Sequence, residues 1–440
     1  MSAIQGLECI LPDTALVTAS GHLAIGGCDL VQLADEFGTP LYVFDEATLR
    51  ATCVEFRREF EGRYPDVLVI YAGKAFLNRT LLQIFRDEGL GLDVVSGGEL
   101  SIARSADFPL QRVYFHGSNK TAVELELALS LGVERVVIDN FYELSLLSEM
   151  TMQKGMTQDV LLRVCPGIDV HTHQYMTTGI LDSKFGFPIT TGQATQALIY
   201  ASSSPRLNLL GLHLHLGSQI FDVEPYRQAV EAIYQLAAEW KERHAFLLSE
   251  FSIGGGFALP YTRSEEAPAI ADYAEAITST MLALGKELGM EPHKLVVEPG
   301  RAIVGRAGVA VYRAGAIKNI PDVCRYVSID GGIGDNIRPA LYGARYDALA
   351  ANRMNEEARQ QITIAGRFCE SGDILARDIE LPPVLPGDII VIPVSGAYQL
   401  AMASNYNAVP RPAVVLASGG RARLIRHRET YQDLFECDLV

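Results

Sequence analysis

The sequence predicts an α/β fold: a (β/α)8 barrel of the TIM type with a second, all-β C-terminal domain that the N-terminal strands join. Two observations carry this. From Val67 onward, short apolar runs rich in β-branched residues alternate with helical segments, and eight such strands occur before residue 300. Beyond Arg301 helical periodicity becomes scarce, and strand-like runs are punctuated by Gly and Pro.

Residues 1–40 hold short apolar pieces broken by Gly21, Gly26-Gly27 and Gly38, read as strands and a turn. Leu41-Tyr42-Val43-Phe44 is a strand, and Asp45 suits the cap of the helix that follows. The eight strands are then 67–72, 90–95, 112–116, 135–139, 160–164, 209–215, 250–253 and 295–298. Asn78 caps the first intervening helix, Gly97-Gly98 opens the second, and Thr121 with Glu124 has capping-box spacing. Further helices are expected from Tyr142 and over 191–201, 224–243 and 270–288, with a polar excursion over 166–190. Eight units over about 230 residues fit a barrel of roughly 250, although the count also fits a doubly wound open sheet. The later strands are 309–317, 325–330, 361–365, 388–394, 412–417 and 422–426. The expected domains are 1–40 (strands packing with the β domain), 41–304 (the barrel) and 305–440 (the β domain).

Composition narrows the function classes. At 440 residues, with 48% apolar and 20% charged, the chain reads as an ordinary globular protein large enough for two domains. Its 37 basic and 53 acidic residues give −16, which argues against nucleic acid and anionic membranes. No signal peptide or membrane span is expected. Seven scattered cysteines form neither a disulfide framework nor a metal-ligand cluster. A cytoplasmic protein with no metal is the expectation.

Chemistry in such a barrel sits at the carboxyl ends of the strands. Those ends read Lys74, Asp93, His116, Asp139, Arg163, His215, Gly254-Gly255-Gly256 and Glu298. Any one of them is more simply a satisfied polar residue at a strand end. Eight together favour one shared site. The glycine run offers N–H groups to a phosphate, His-Leu-Gly-Ser at 215–218 adds a hydroxyl, and Glu298-Pro299-Gly300-Arg301 adds a glycine and a cation. With a lysine across the barrel, this set fits pyridoxal 5'-phosphate. Lys74 would carry the aldehyde as a Schiff base, and Glu298 would hold the pyridine nitrogen protonated.

Several motifs follow in order: Tyr-Ala-Gly-Lys-Ala at 71–75, Leu-Asp-Val-Val-Ser-Gly-Gly-Glu at 92–99, His-Leu-Gly-Ser, Gly-Gly-Gly, Glu-Pro-Gly-Arg, Cys-Glu-Ser-Gly-Asp at 369–373 and Gly-Ala-Tyr at 396–398. Thr-His-Gln-Tyr at 172–175, Thr178-Gly179 and Ser-Lys-Phe-Gly at 183–186 extend the pattern. The chain resembles the fold-type III pyridoxal-phosphate decarboxylases, relatives of alanine racemase, and most closely the diaminopimelate decarboxylases. The resemblance implies decarboxylation of meso-2,6-diaminopimelate to L-lysine and carbon dioxide, the last step of lysine biosynthesis. It implies that Lys74 binds the cofactor, His215 stacks on its ring and Asp93 lies close by. Ser218, Gly256, Pro299, Gly300, Arg301 and Tyr398 would complete the cofactor site around Glu298. Substrate would meet Arg301, Arg338, Tyr342, Glu370 and Tyr398, while Cys369 returns the proton. Cys369 and Glu370 would come from the partner of a homodimer.

The residue chemistry agrees with this. A substrate with an extra carboxylate calls for a guanidinium, whose fork matches carboxylate geometry. Cys369 stands among Glu370, Ser371, Gly372 and Asp373, a poor setting for a core residue and a suitable one for a donor thiol. Ornithine-type relatives carry Asp after this cysteine and diaminopimelate enzymes Glu, as here. One departure is Phe76, where the family commonly has Asn. Same-fold decarboxylases of D-ornithine, D-lysine, arginine or a carrier-bound glutamate are the alternative. The segment 171–187 is a candidate lid.

Overall fold

Val, Leu, Val and Ile run without a polar break in Val67–Ala72, which suits a strand covered on both faces, and the barrel is built outward from it. The computed structural model describes residues 4–168, 183–291 and 293–439. The motifs at 172–175 and 178–179, and most of the candidate lid, lie outside them. The chain divides into two compact units. One comprises Cys53–Ala258 and Ala267–Gly300; the other comprises the chain up to Thr52, Leu259–Glu266, and Arg301 onward.

The first unit is a parallel barrel of Val67–Ala72, Gly91–Val94, Val113–Phe115, Arg135–Ile138, Gln158–Cys165, Leu207–His213, Glu250–Ser252 and Lys294–Val297. The last strand returns to the first, with Val296 beside Leu68, so the ring closes and the open sheet is excluded. Ile70, Tyr114, Val137, Leu161 and Val296 form a buried cluster, with Leu68 and Leu210 packed against it. Each such side chain contributes about 1.5–3 kcal/mol relative to exposure.

Local signals set the helix starts. Asn78 accepts from the Leu81 N–H at 2.9 Å, and Thr121 and Glu124 form the expected reciprocal capping box. Such a cap is worth about 1 kcal/mol. The helix expected from Tyr142 begins one residue earlier, because Asn140 accepts from the Glu143 N–H.

The second unit is built on a mixed sheet in the order Ile374–Leu381, Gln360–Ala365, Cys324–Ile329, Gly308–Ile320, Leu41–Asp45, Ala413–Ser418, Arg421–Arg426. Ile389–Ile392 also pairs with Gly308–Ile320. Leu41–Asp45 is wholly buried, antiparallel to one neighbour and parallel to the other. An expected boundary at 41 would place this strand with the barrel; its pairing puts it in the second sheet. Asp45 caps the next helix as expected, accepting from the Thr48 N–H at 3.0 Å.

Leu16–Val17, Leu23–Ile25 and Cys28–Asp29 form a separate three-stranded sheet. They are tied to the same unit by main-chain bonds, from Leu23 N to Ala351 O and from Gly420 N to Gly26 O. Three elements of this unit had no clear signature in the sequence. Leu30–Phe37 and Arg338–Tyr342 are helices, and Ile374–Leu381 is an edge strand whose polar residues and positive-φ Asp378 hide its alternation.

Candidate active site

Side-chain alternation along a strand places residues two apart on one face. His213 and His215 therefore share a face, as do Ser252 and Gly254, at neighbouring strand ends. Glu298 follows the last barrel strand and is almost completely buried. Its Oε1 accepts from the Ser252 hydroxyl at 2.6 Å, and its Oε2 lies 3.3 Å from His213 Nε2. His116 Nε2 stands 3.5 Å from Oε1 of the same carboxylate and 3.8 Å from Asp93 Oδ1. The two imidazoles meet edge to face at 4.8 Å.

Burial dominates the electrostatics here. It holds His116 and His213 well below the usual imidazole range, so both are neutral at pH 7. Burial and the nearby Glu298 carboxylate push Asp93 well up, while Lys74 opposes this. Among the described residues, Asp93 Oδ1, His116 Nε2 and His213 Nδ1 are buried without a hydrogen-bond partner. Such atoms are costly unless a ligand completes them.

His215 is partly accessible, and loss of solvation followed by the neighbouring Lys74 keeps it neutral as well. Its Nδ1 accepts from the Gly255 N–H at 3.3 Å, which leaves the proton on Nε2 and fixes the ring plane. Gly256 sits at φ +104°, and a Cβ there would fall 2.7 Å from Gly217 O, so the backbone needs glycine.

Lys74 occupies the short 3-10 turn Gly73–Ala75 and is exposed. Phe76 is buried, and its main chain is clamped by Tyr71, whose hydroxyl donates to Phe76 O at 2.6 Å and accepts from its N–H at 3.2 Å. Pro299 O accepts from Ala72 N at 3.1 Å, tying the Glu-Pro-Gly loop to the turn that carries Lys74.

These residues fit pyridoxal phosphate. A buried carboxylate oriented by Ser252 and His213 matches a protonated ring nitrogen, and a flat neutral imidazole matches the ring face. An obligatory glycine loop and an exposed lysine match the phosphate and the aldehyde. His116, His213 and Glu298 also bring their donor atoms within 4.8 Å of one another, but the short Ser252 bond already engages the carboxylate.

In the second unit, Arg301, Arg338 and Tyr398 cluster around two residues that sequence reasoning missed, Tyr261 and Tyr346. Arg301 donates to Tyr261 Oη and Arg338 to Tyr346 Oη, each at 2.5 Å. The Arg301 guanidinium lies 4.6 Å from the Tyr398 ring centroid. Tyr342 ends the short Arg338–Tyr342 helix.

Cys369 and Glu370 are exposed on a separate loop. The Cys369 N–H donates to Asn407, and the Glu370 carboxylate accepts from Tyr406 Oη. Asp373 braces this loop by accepting from Phe368 N and Ile333 N, each at 2.7 Å. A Cβ at Gly366 would fall 2.2 Å from the Asp373 carboxylate.

His116, Arg163 and Asp139 were visible as strand ends but had no assigned role. Arg163 pairs with Asp139 at 3.4 Å and lies 4.2 Å from the Phe185 ring centroid. His213 and Ser252 could have been found from the two-residue period alone.

Residues 47–305 match the family model described as pyridoxal-dependent decarboxylase, pyridoxal binding domain. The chain is 44% identical to the diaminopimelate decarboxylase of Bacillus subtilis (strain 168), over 98% of each chain. It is 42% identical to that of Synechocystis sp., over 98% of this chain and 93% of the relative. The diaminopimelate decarboxylase of M. jannaschii solved in co-complex with L-lysine superposes with a TM-score of 0.91 at 35% identity, over 97% of this chain and 98% of that one. With its closed barrel, mixed second sheet and cofactor-fitting strand ends, the chain belongs to the diaminopimelate decarboxylase family of pyridoxal-dependent decarboxylases.

Proposed function

We propose that this chain decarboxylates meso-2,6-diaminopimelate to L-lysine and carbon dioxide, with pyridoxal phosphate as cofactor, in a cytoplasmic homodimer. The observation that carries the reading is the buried Glu298, oriented by Ser252 and His213 at the end of a barrel whose Lys74 is exposed. In support of the compartment, none of the seven cysteines is in a disulfide among the described residues, and no helix among them is long and apolar enough to cross a membrane.

The chemistry supplied by bound pyridoxal phosphate is an electron sink for the pair left when the bond from Cα to the carboxylate breaks. Lys74 Nζ would hold the cofactor through its aldehyde. Glu298 keeps a proton on the ring nitrogen, and neutral His116 and His213 leave that charge uncontested. His215 packs on the ring face. Asp93, close to Lys74, stays with the cofactor, and Ser218, Gly256 and Gly300 present donors to its phosphate, a role we also assign to Tyr398. Arg301, Arg338 and Tyr342 take the carboxylate of the distal centre. Glu370 takes its ammonium and Cys369 delivers the proton to Cα, both from the partner subunit.

Carbon dioxide release from cofactor-loaded protein tests this, with meso-diaminopimelate, LL-diaminopimelate, L-ornithine and D-lysine side by side. Release from the meso isomer alone, with lysine as product, is expected. Release from L-ornithine or D-lysine in preference would move the substrate; none from any of the four would refute decarboxylation of free amino acids. Mixing Lys74→Ala with Cys369→Ala subunits should restore activity, and an inactive verified heterodimer would refute shared sites.

A further inference from the structure

Arg338 is 3% exposed and Arg301 7% exposed, so both guanidiniums are desolvated. Among the described residues, the Arg338 guanidinium bonds the Tyr346 hydroxyl and no carboxylate. Its partners are neutral: the Tyr346 hydroxyl, the Tyr346 ring at 5.7 Å and the Tyr261 ring at 4.5 Å. Arg301 meets the same tyrosine from another direction, donating to Tyr261 Oη with its guanidinium 5.6 Å from the ring centroid. Tyr261 packs edge to face on Tyr346 at 5.1 Å.

Tyr261 thus touches both cations, one through its hydroxyl and one through its face. Two like charges desolvated against one tyrosine repel, and in a dry setting the repulsion is weakly screened. The π faces and phenol oxygens offset part of it, and Arg338, without a carboxylate partner among the described residues, is left suited to a ligand's negative charge.

The location of Tyr261 adds to this. It lies in Leu259–Glu266, which leaves the barrel sequence between the strand Glu250–Ser252 and the helix Ile270–Glu287 and belongs compactly to the second unit. The excursion is held there by Arg263, whose N–H and Nε donate to Asp347 at 2.8 and 3.1 Å, and is braced within itself by the Tyr261 N–H donating to Glu265 at 2.7 Å.

We propose that Tyr261 is a positioning residue that sets the spacing of Arg301 and Arg338, and so selects ligands carrying a second carboxylate. The proposal rests on the decarboxylase reading above. Cofactor-loaded wild type, Tyr261→Phe and Tyr261→Leu are compared by kcat and KM for meso-diaminopimelate and by cofactor absorbance. Thermal shift compares pimelate, which keeps both terminal carboxylates, with heptanoate, which keeps one.

Loss of one hydrogen bond to a charged group predicts a KM rise of about 10-fold for Tyr261→Phe. Loss of the ring as well predicts about 100-fold for Tyr261→Leu. In both variants kcat stays within about 3-fold and absorbance is unchanged, the pattern of lost uniform binding. The preference for pimelate over heptanoate shrinks in parallel. An unchanged KM in both variants, or a fall in kcat alone, overturns the proposal. Should Tyr261→Leu lose its cofactor band through misfolding, Tyr261→Phe decides by the same criteria. A wild type inactive on meso-diaminopimelate refutes the functional reading instead, and the pimelate–heptanoate comparison still decides the role of Tyr261.

Discussion

The two ends of the barrel use the same kinds of residue and treat them oppositely. Toward the amino-terminal ends of the strands, Glu250 is buried but saturated: Tyr114 donates to its Oε1 at 2.7 Å, and Arg135 donates twice to its Oε2 at 3.1 and 3.0 Å. Arg135 reaches on to Asp159, and Lys294 donates to Tyr114 Oη. At the carboxyl ends, Asp93, His116 and His213 keep buried atoms without hydrogen-bond partners among the described residues, as His293 does just before the last barrel strand. A closed network locks geometry, whereas an open one of equal burial waits for a ligand. Charge and burial alone therefore do not distinguish a plug from an active site; here the hydrogen bonding of Glu250 is complete and that of the cluster around Glu298 is not.

Substitutions at the two ends should separate activity from stability. Lys74→Ala should abolish both turnover and the bound cofactor's absorbance while leaving Tm intact; an unchanged spectrum would remove Lys74 from the open end's function. Cys369→Ala should keep the cofactor but lower kcat by about 10²–10⁴-fold, the range for a proton-transfer group, and full activity would refute the donor role. At the closed end, Glu250→Gln removes one of the carboxylates that Arg135 pairs with, leaving Asp159, and should cost about 1–3 kcal/mol by denaturant titration. A loss of activity without that destabilisation would erase the contrast.

Smaller effects sharpen it. Ser252→Ala removes one bond to the Glu298 carboxylate and should weaken cofactor affinity by about 10-fold, with stability of the cofactor-free protein little changed. Asp93 gives a pH signature. Its folded pKa is raised above the unfolded value of about 3.9, so its stabilising contribution is complete below that value and is lost as pH rises through the folded pKa. Asp93→Asn in cofactor-free protein should flatten this loss; equal pH slopes in mutant and wild type would show that Asp93 is already ionised.

The features legible in the sequence were local ones. Asn78, Thr121 and Glu124 announced their helices because a cap is chemistry within four residues. The strand ends from Lys74 to Glu298 were legible because the barrel's own topology says where to look. Leu41–Asp45 was recognisable as a strand, but its sheet was not, since its partners Gly308–Val311 and Ala413–Ala417 lie more than 250 residues away.

By itself, then, the amino-acid sequence determined the parallel alternation, the caps, the ordered motifs and the chemistry they imply, because period, spacing and side-chain type are properties of short stretches. Only the tertiary structure decided that the ring closes, that Ser252 and His213 hold Glu298, and that Tyr261 leaves the barrel sequence to stand against two arginines. Those outcomes depend on which groups from distant segments are desolvated together, and no local pattern encodes that.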